Sequence, residues 1–559
     1  MQPQELSMNI IEHIQTTLTD FVQKQFSIDL TKLPSFVFNL NTSSVKEQFG
    51  DISTNIPFIL AKELKKNPQE IASLITQQIH DPYIQKLEVA GTGFINIHVT
   101  QEAFKLLAQQ LGVEQESFFK SSFAASQKYS VEFVSANPTG PLHLGHGRGG
   151  IIGDVLGSIL RFLGNSVIKE FYINDAGSQM QKLGESFKIR CEQLAGFPIT
   201  LPEDGYHGEY LIELAEQARK EYGDTLSKQP AEFYITYAHQ HLLKAIEKTL
   251  KKYGITFDIW FSESHLHKNH AIAHAVALLI ERGYIYEHDK ALWLKSTAFG
   301  DDKDRVIKKN TGEFTYVAAD IAYLQNKMER GFDKLIMILG QDHHSYVTRL
   351  KAVMAALGYD PAHLDVILYQ LVTIKESGTA LRMSKRAGRI VTLNDVIDEV
   401  GLDVARFFYL NKKADAHLEF DIDLALKQTD ENPVYYIQYA YVRTKSIFEK
   451  AQQGEFAQQL SNITPADSKY ITDAEKTLIK KIATLKELLA SIARNYQTHL
   501  LSYYVIELAQ TFHSYYNAHK VIDKNNLEQS RGRLFVTLLV QQTLKTSFDL
   551  LGITAPEKM

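Results

Sequence analysis

The chain has 559 residues, of which 44% are hydrophobic and 22% charged, and its formal net charge is −5. This length excludes a single small domain, and 60 basic against 65 acidic residues exclude an overall basic surface as the mark of a nucleic acid partner. The single cysteine, Cys191, excludes an internal disulfide and a zinc site built from several cysteines, and it favours a reducing compartment.

The amino-terminal segment lacks the basic stretch and apolar core of a signal peptide, and the apolar runs are far shorter than about 18 residues. We therefore expect a cytoplasmic protein with no membrane segment.

The first part of the chain alternates helical and strand-like patterns. Apolar residues recur at helical spacing over 8–26, a second helix is predicted over 58–79, and FINIHV at 94–99 alternates as a strand does. These patterns predict a small α+β domain over residues 1–115.

The middle of the chain predicts a nucleotide-binding fold. YSVEFV at 129–134 is typical of a buried strand, and a glycine-rich turn and a helix follow it. Strands at 334–340 and 366–372, with a helix near 345–357 between them, extend the same parallel sheet. We expect a catalytic domain over 116–425 that contains a polar, mostly helical insertion at about 178–310.

From Asn432 onward the chain shows helical patterns without a strong strand signal. The predicted fold class is therefore α/β: a parallel Rossmann-type nucleotide-binding domain with an insertion, preceded by a small α+β domain. An all-α helical bundle over 426–559 follows it.

The segment SANPTGPLHLGHGRGG, residues 135–150, lies between the predicted strand and helix. Gly145 and Gly147, with the glycines that follow, would let a nucleotide approach the backbone, and His143 and His146 could donate to phosphate oxygens of ATP. The alternative is that the glycines only permit tight packing and the histidines cap the helix.

A short basic loop, LRMSKRAG at 381–388, lies between a strand and a helix begun by Thr392. Lys385, between Gly378 and Gly388, could neutralise a triphosphate in a transition state. Taken alone, such a loop is usually a solvated surface.

Together the two segments resemble the "HIGH" and "KMSKS" signatures of class I aminoacyl-tRNA synthetases. Within that class, VEFVSANPTGPLHLGHGRG, FYINDAG, MSKRAG, GLDVARFFYL and NPVYYIQYAYVR resemble the arginyl-tRNA synthetase family of the bacterial type over nearly the whole chain. Arg382 and Arg386 depart from the loop signature. Residues 129–147 contain no lysine, so the resemblance assigns the catalytic role to Lys385.

The resemblance implies ATP-dependent ligation of L-arginine to tRNA(Arg) through an arginyl-adenylate, with Mg²⁺, without structural zinc, and by a monomer. It also implies that arginine is activated only when tRNA is bound. The catalytic residues would be His143, His146 and Lys385. The implied ATP-binding residues are Gly145, Gly147, His344, Met383, Ser384 and Lys385.

An arginine pocket must pair a planar guanidinium with carboxylates. The resemblance assigns Glu132, Asn137 and Gln341 to the bound arginine, although a polar residue in a strand such as SVEFV could also face solvent. Tyr316 and Asp320, four residues apart on one helix face, match the same pocket and could alternatively lie on an exposed face.

RNA contacts are predicted in two places. Tyr435, Tyr436, Tyr439 and Tyr441 could stack on anticodon bases, although Tyr435 and Tyr439 could equally be core residues. By resemblance, Phe94 and Asn96 of the amino-terminal domain would meet the D-loop of tRNA.

Two rival functions remain at this stage. A small-molecule nucleotidyltransferase would also use a His-x-Gly-His element, but it would not need the basic loop and a helical domain. A synthetase-like protein that only binds RNA would not need both histidines, Lys385 and the pocket carboxylates.

Overall fold

The computed structural model describes residues 9–42, 49–120, 126–381, 385–386 and 389–559, and for residues 379–381, 385–386 and 389–390 it describes the backbone alone. Met383 and Ser384 lie outside the described residues. Among the residues described, no helix is both long and apolar enough to cross a membrane.

The amino-terminal domain packs helices on a four-stranded antiparallel sheet with the order β1-β2-β4-β3. Its elements are α1 (Ile10–Phe26), β1 (Phe38–Leu40), β2 (Ile52–Thr54), α2 (Ile56–Leu64), α3 (Pro68–Gln78), β3 (Ile84–Ala90), β4 (Phe94–Val99), α4 (Gln101–Glu114) and α5 (Glu116–Phe119).

The single helix predicted over 58–79 is wrong, because the structure has two helices there. Lys65 ends α2 in the left-handed conformation at φ +52°, and Pro68 begins α3 one residue after Asn67 caps it. Proline has no backbone N–H and disfavours a helical residue before it, so it starts a helix more readily than it continues one.

The catalytic domain is built on a five-stranded parallel sheet with the order β12-β11-β5-β6-β7. The strands are β5 (Lys128–Glu132), β6 (Ser166–Ile173), β7 (Ile259–Ser262), β11 (Lys334–Gly340) and β12 (Leu364–Tyr369). The helices are α6 (Leu144–Phe162), α7 (Ser178–Leu194), α8 (Tyr210–Tyr222), α9 (Ala231–Lys252), α10 (Glu263–Lys268), α11 (Ala271–Glu281), α12 (Tyr316–Glu329) and α13 (His344–Ala356). The sheet with its flanking helices is the Rossmann-type architecture.

Strand β7 interrupts the segment that the sequence predicted as one insertion. It pairs with β6, so it belongs to the main sheet and separates the helices α7, α8 and α9 from a small antiparallel sheet. That sheet contains β8 (Ile285–His288), β9 (Ala291–Leu294) and β10 (Arg305–Lys308). A four-residue strand between helices carries too little periodicity to be detected in the sequence.

A further sheet with the order β14-β13-β17 carries the basic loop. Its elements are β13 (Val372–Glu376), β14 (Thr379–Leu381) and β17 (Leu418–Asp421). The hairpin of β15 (Lys385–Arg386) and β16 (Arg389–Ile390) follows β14, so part of the predicted loop is a short strand. Helices α14 (Leu393–Val400), α15 (Leu402–Leu410) and α16 (Ile422–Ala425) complete this region.

The carboxyl-terminal part is a helical bundle, as predicted. It contains α17 (Pro433–Gln453), α18 (Ala457–Leu460), α19 (Lys476–Asn495), α20 (His499–Ala518) and α21 (Leu527–Leu551). Asn432 caps α17 by accepting from the Val434 N–H, and its own amide donates to the Ala425 carbonyl, which joins the bundle to the preceding domain.

Candidate active site

The site lies where the connections of the parallel sheet diverge. From β5 the chain passes through α6 to β6 on one side, whereas β11 and β12 lie on the other side of β5. Ligands of parallel α/β sheets bind at the carboxyl ends of the strands beside such a point. The histidine motif follows β5, and Gln341 and His344 follow β11, so all of them flank this crevice.

The two histidines form a reciprocal cap at the start of α6. Nδ1 of His143 accepts from the Gly145 N–H and Nδ1 of His146 accepts from the His143 N–H, both at 3.1 Å, and the rings stack with centroids 3.7 Å apart. Burial lowers the pKa of His143, and burial together with His143 lowers the pKa of His146 to about 3. Each neutral ring therefore carries its hydrogen on Nε2 and keeps a donor that the cap does not use.

The glycines of the motif do not all serve one purpose. A Cβ on Gly147 would lie 2.6 Å from the side chains of Leu393 and Tyr409, and one on Gly149 would lie 2.6 Å from the Tyr369 ring. The packing explanation therefore fits these two glycines. A Cβ on Gly145 would meet only the ring of His143, so Gly145 lies on the open side of the helix start.

The histidine motif and the basic loop meet through backbone hydrogen bonds. The Leu144 N–H donates to the Val391 carbonyl at 3.1 Å, and the Leu393 N–H donates to the Leu142 carbonyl at 2.9 Å. His143 and Thr392 form an antiparallel bridge between them. The two predicted signatures, some 240 residues apart, are thus adjacent in the fold, although the side chain of Lys385 lies outside the described part of the structure.

Glu132 does not face solvent, but its carboxylate already has a cation. It is 3% exposed, and its oxygens accept from Lys327 Nζ at 2.6 Å, the Tyr323 hydroxyl at 3.0 Å and the Ser135 hydroxyl at 3.2 Å. Lys327, which the sequence analysis did not weigh, therefore already neutralises this carboxylate, and the assignment of Glu132 to the bound arginine stays a prediction.

Asp320 and Glu263 differ from Glu132 in having no lysine or arginine within salt-bridge distance among the described residues. The Tyr346 hydroxyl donates to Asp320, and the Tyr172 hydroxyl donates to Glu263 at 2.9 Å. Burial and the nearby charge of Glu263 raise the pKa of Asp320 to about 7, and burial raises the pKa of Glu263. Two carboxyl groups that raise each other's cost of ionisation in this way could be stabilised by a cation between them.

The other predicted pocket residues differ in exposure. Tyr316, at the first position of α12, is 56% exposed. Asn137 and His344 are exposed and Gln341 is half-buried. Asp320 follows Tyr316 on the same helix face, as the spacing predicted, but it is half-buried.

Three contributors were missed by sequence analysis: Tyr172, Glu263 and Tyr346. Glu263 directly follows β7, and Tyr172 lies one residue before the end of β6, so both are near the carboxyl edge of the sheet. The signal that could have found Glu263 was a carboxylate directly after the apolar run IWFS, but that run was interpreted as part of a helical insertion.

An aromatic stack with an arginine lies on the outer side of the bundle. Tyr439 is 39% exposed, stacks on Tyr435 at 6.3 Å and on His513 at 5.8 Å, and lies under the Arg443 guanidinium at 4.6 Å. The core alternative therefore does not hold for Tyr439. Tyr435 and Tyr436 are half-buried, and Tyr441 is only 9% exposed, so Tyr441 offers almost no ring surface for stacking on RNA.

Phe94 and Asn96, which were predicted to contact the D-loop of tRNA, also differ in exposure. Phe94 is 46% exposed and rests on Phe58 with ring centroids 4.7 Å apart. Asn96 is only 6% exposed because β4 runs between β2 and β3 in the middle of the sheet. Phe94 can offer a face to a ligand, whereas Asn96 offers almost no surface.

In the described part of the chain, no three or more histidine, cysteine, aspartate or glutamate side chains are grouped as metal ligands would be. Cys191 is buried in the helices that follow β6, and burial raises its thiol pKa to about 12.

Three family models match the chain in succession. Residues 8–99 match the arginyl tRNA synthetase N terminal domain, and residues 108–422 match the catalytic domain of tRNA synthetases class I (R). Residues 437–559 match the DALR anticodon binding domain.

Similar proteins and structures cover almost the whole chain. An arginine–tRNA ligase from Geobacillus kaustophilus is 42% identical over 518 residues, which are 91% of this chain and 92% of that one. One from Bacillus subtilis is 40% identical over 99% of this chain and 100% of its own length. The structure of Thermus thermophilus arginyl-tRNA synthetase superposes with a TM-score of 0.73 over 98% of this chain and 100% of that one, at 21% identity, which is a similarity of fold.

Proposed function

Because the chain belongs to the arginyl-tRNA synthetase family, and so ligates L-arginine to its cognate tRNA with ATP, we propose how its residues divide that reaction. The reaction is that of a class I arginine–tRNA ligase: it passes through an arginyl-adenylate and releases AMP and pyrophosphate. A small-molecule nucleotidyltransferase and a catalytically inactive RNA-binding protein are therefore set aside.

We propose that Asp320 and Glu263 bind the guanidinium of arginine. The observation that carries this proposal is the pair of interacting carboxylates with raised pKa values and, among the described residues, no lysine or arginine within salt-bridge distance, because an arriving guanidinium would supply that cation. Tyr316, Asn137 and Gln341 would complete the pocket at its exposed side.

Glu132 would act indirectly. By binding Lys327 and Tyr323 it would keep α12 in place beneath the pocket. Lysine would be rejected as a substrate because its ammonium lacks the planar fork that two carboxylates can share.

The chemical step is attack of the arginine carboxylate on the α-phosphorus of ATP, and pyrophosphate is the leaving group. We propose that the neutral Nε2–H groups of His143 and His146 donate to phosphate oxygens as negative charge develops. Lys385 would neutralise the leaving pyrophosphate. The aminoacyl group then passes to the terminal ribose of tRNA, so neither step needs a covalent bond to the enzyme.

ATP would lie over the start of α6, where the open side of Gly145 allows close approach and the positive end of the helix dipole favours phosphate. His344, Met383, Ser384 and Lys385 would line the same nucleotide. We retain Gly147 only as a packing residue of this helix. Mg²⁺ would arrive as the ATP complex, since this ion keeps several waters and binds mainly through substrate phosphates.

We propose that the chain acts as a monomer in the cytoplasm, with domains at 1–115, 116–425 and 426–559. Tyr439, with the half-buried Tyr435 stacked on it, would bind anticodon bases and Phe94 would bind the D-loop, because the exposed faces of Tyr439 and Phe94 suit unpaired bases whatever the net charge of the protein. Asn96 would support the sheet that presents Phe94.

The test is ATP–pyrophosphate exchange with each amino acid, with and without tRNA. Exchange is expected with arginine, absent with lysine, and dependent on added tRNA. A His146→Ala variant should lose on the order of 10²- to 10³-fold in exchange rate. Normal exchange by this variant would refute the role of the histidine.

A further inference from the structure

Arg148 has an unusual environment for a charged side chain. It is the fifth residue of α6, and none of its surface is exposed. Among the described residues no carboxylate lies within salt-bridge distance of it. Its Nη1 donates to the carbonyls of Gln370 at 2.9 Å and Ala416 at 2.7 Å, and its Nη2 donates to the Lys413 carbonyl at 2.8 Å.

Those carbonyls belong to the two segments that lead into the loop-bearing sheet. Gln370 lies two residues before β13, and Ala416 lies two residues before β17, the strand that pairs with β13 in parallel. Strand β13 continues through β14 toward Lys385. The guanidinium therefore binds the residues immediately before the two strands of the sheet from which the basic loop extends.

The chain that leaves the loop returns to the same end of α6. Val391 and Leu393 bond to the backbone of Leu144 and Leu142, and the Tyr409 hydroxyl donates to the Leu144 carbonyl at 3.0 Å. Both ends of the segment 371–391 are thus hydrogen-bonded to the first turns of α6, the helix that His143 caps.

We propose that Arg148 is a positioning residue for adenylate formation, because its three hydrogen bonds set the placement of the lysine segment relative to the histidine motif. The proposal rests on the roles proposed above for His143, His146 and Lys385. Groups that act together on one transferring phosphoryl centre must be placed closely, and an error of about 1 Å can cost about 10²-fold in rate. A lysine cannot replace the guanidinium, since an ammonium lacks the planar fork that reaches several carbonyls in one plane.

The alternative is that Arg148 only stabilises the fold. The matched control is Arg406, which is 1% exposed and donates to the carbonyls of Leu551 at 2.9 Å and Tyr253, and to the Asp154 carboxylate. It joins α6 and the end of α9 to the last helix of the bundle, and none of its hydrogen bonds goes to the described residues of the segment 371–391. Arg148→Lys and Arg406→Lys therefore make the same chemical change at two buried sites.

The experiment compares both variants with the wild-type enzyme in arginine-dependent ATP–pyrophosphate exchange with saturating tRNA, alongside the urea midpoint of unfolding. We expect R148K to lower kcat about 10- to 100-fold while the KM for arginine stays within about twofold, because the arginine pocket lies on α12 and after β7. R406K should lower the unfolding midpoint at least as much but change kcat less than about threefold.

Unchanged kcat in R148K, or equal losses of kcat in R148K and R406K, would overturn the proposal in favour of a structural role. The Lys385→Ala variant separately tests the premise of this proposal, which is that Lys385 takes part in adenylate formation. Retained exchange in K385A would refute the role proposed for the lysine, whereas retained exchange in R148K alone would refute only the role of Arg148.

Discussion

Replacing Asp320 by Asn removes the charge of one pocket carboxylate while keeping its size. A hydrogen bond to a charged group contributes about 1.5–3 kcal/mol, so we expect the KM for arginine to rise about 10- to 150-fold. The proposed ATP site lies at the start of α6 and the loop segment, so the KM for ATP should change less than about twofold.

The pH dependence offers a sharper test of the same reasoning. With a pKa of about 7, Asp320 in the free enzyme is mostly ionised at pH 8 and mostly protonated at pH 6. Because a guanidinium binds the ionised form, the apparent affinity for arginine should fall about tenfold between pH 8 and pH 6 in the wild-type enzyme. The D320N variant should show a much flatter profile, because Asn does not titrate.

The contribution of Asp320 to the stability of the fold should change with pH in the opposite direction to its contribution to arginine affinity. A carboxyl whose pKa is raised in the folded state favours folding at low pH and opposes it as pH rises through that pKa, so D320N should unfold at a higher urea concentration than wild type at pH 8.

Arginine affinity can be measured by isothermal titration between pH 6 and pH 8. A wild-type profile as flat as that of D320N, or equal effects on the KM of arginine and of ATP, would refute the assignment of Asp320 to the guanidinium.

Three further outcomes can be checked. Gly147→Ala should destabilise the enzyme by about 1–3 kcal/mol in urea unfolding, because the added methyl group meets Leu393 in a packed core, whereas Gly145→Ala should cost less. Tyr439→Ala should raise the KM for tRNA about tenfold or more in aminoacylation, since a stacked base contributes about 1–3 kcal/mol, and should leave the KM for arginine unchanged; a Phe variant should retain most of the affinity. His146 has a pKa of about 3 in the folded state and about 6.5 when unfolded, so the stability it provides is present above pH 6.5 and lost as pH falls toward 3. Between pH 7.5 and pH 5.5 the wild-type enzyme should therefore lose about 1.4 kcal/mol more than H146N, and equal losses would contradict the lowered pKa.

The helical breaks and short strands show where sequence patterns stop being informative. The helix over 58–79 was predicted as one element because its apolar spacing continues across Pro68, yet the backbone must end one helix and start another there. Strand β7 has only four residues, so its place beside β6 depends on pairing with a strand some 90 residues earlier. Helices and strands with long periodic patterns, such as α1 and β11, were predicted close to where they lie, and the helical character of the carboxyl-terminal part was predicted without helix bounds.

The sequence by itself determined the family: the histidine motif, the basic loop and the longer motifs around them resemble those of arginyl-tRNA synthetases, and this resemblance implied ATP-dependent ligation of arginine to tRNA. Only the tertiary structure decided which carboxylate is available to a cation. Glu132 and Asp320 were equivalent candidates in the sequence, yet Lys327, 195 residues away along the chain, neutralises the first, and no lysine or arginine of the described chain pairs with the second. The charge state of a side chain depends on burial and on groups brought near it by folding, and neither is encoded in the residues beside it.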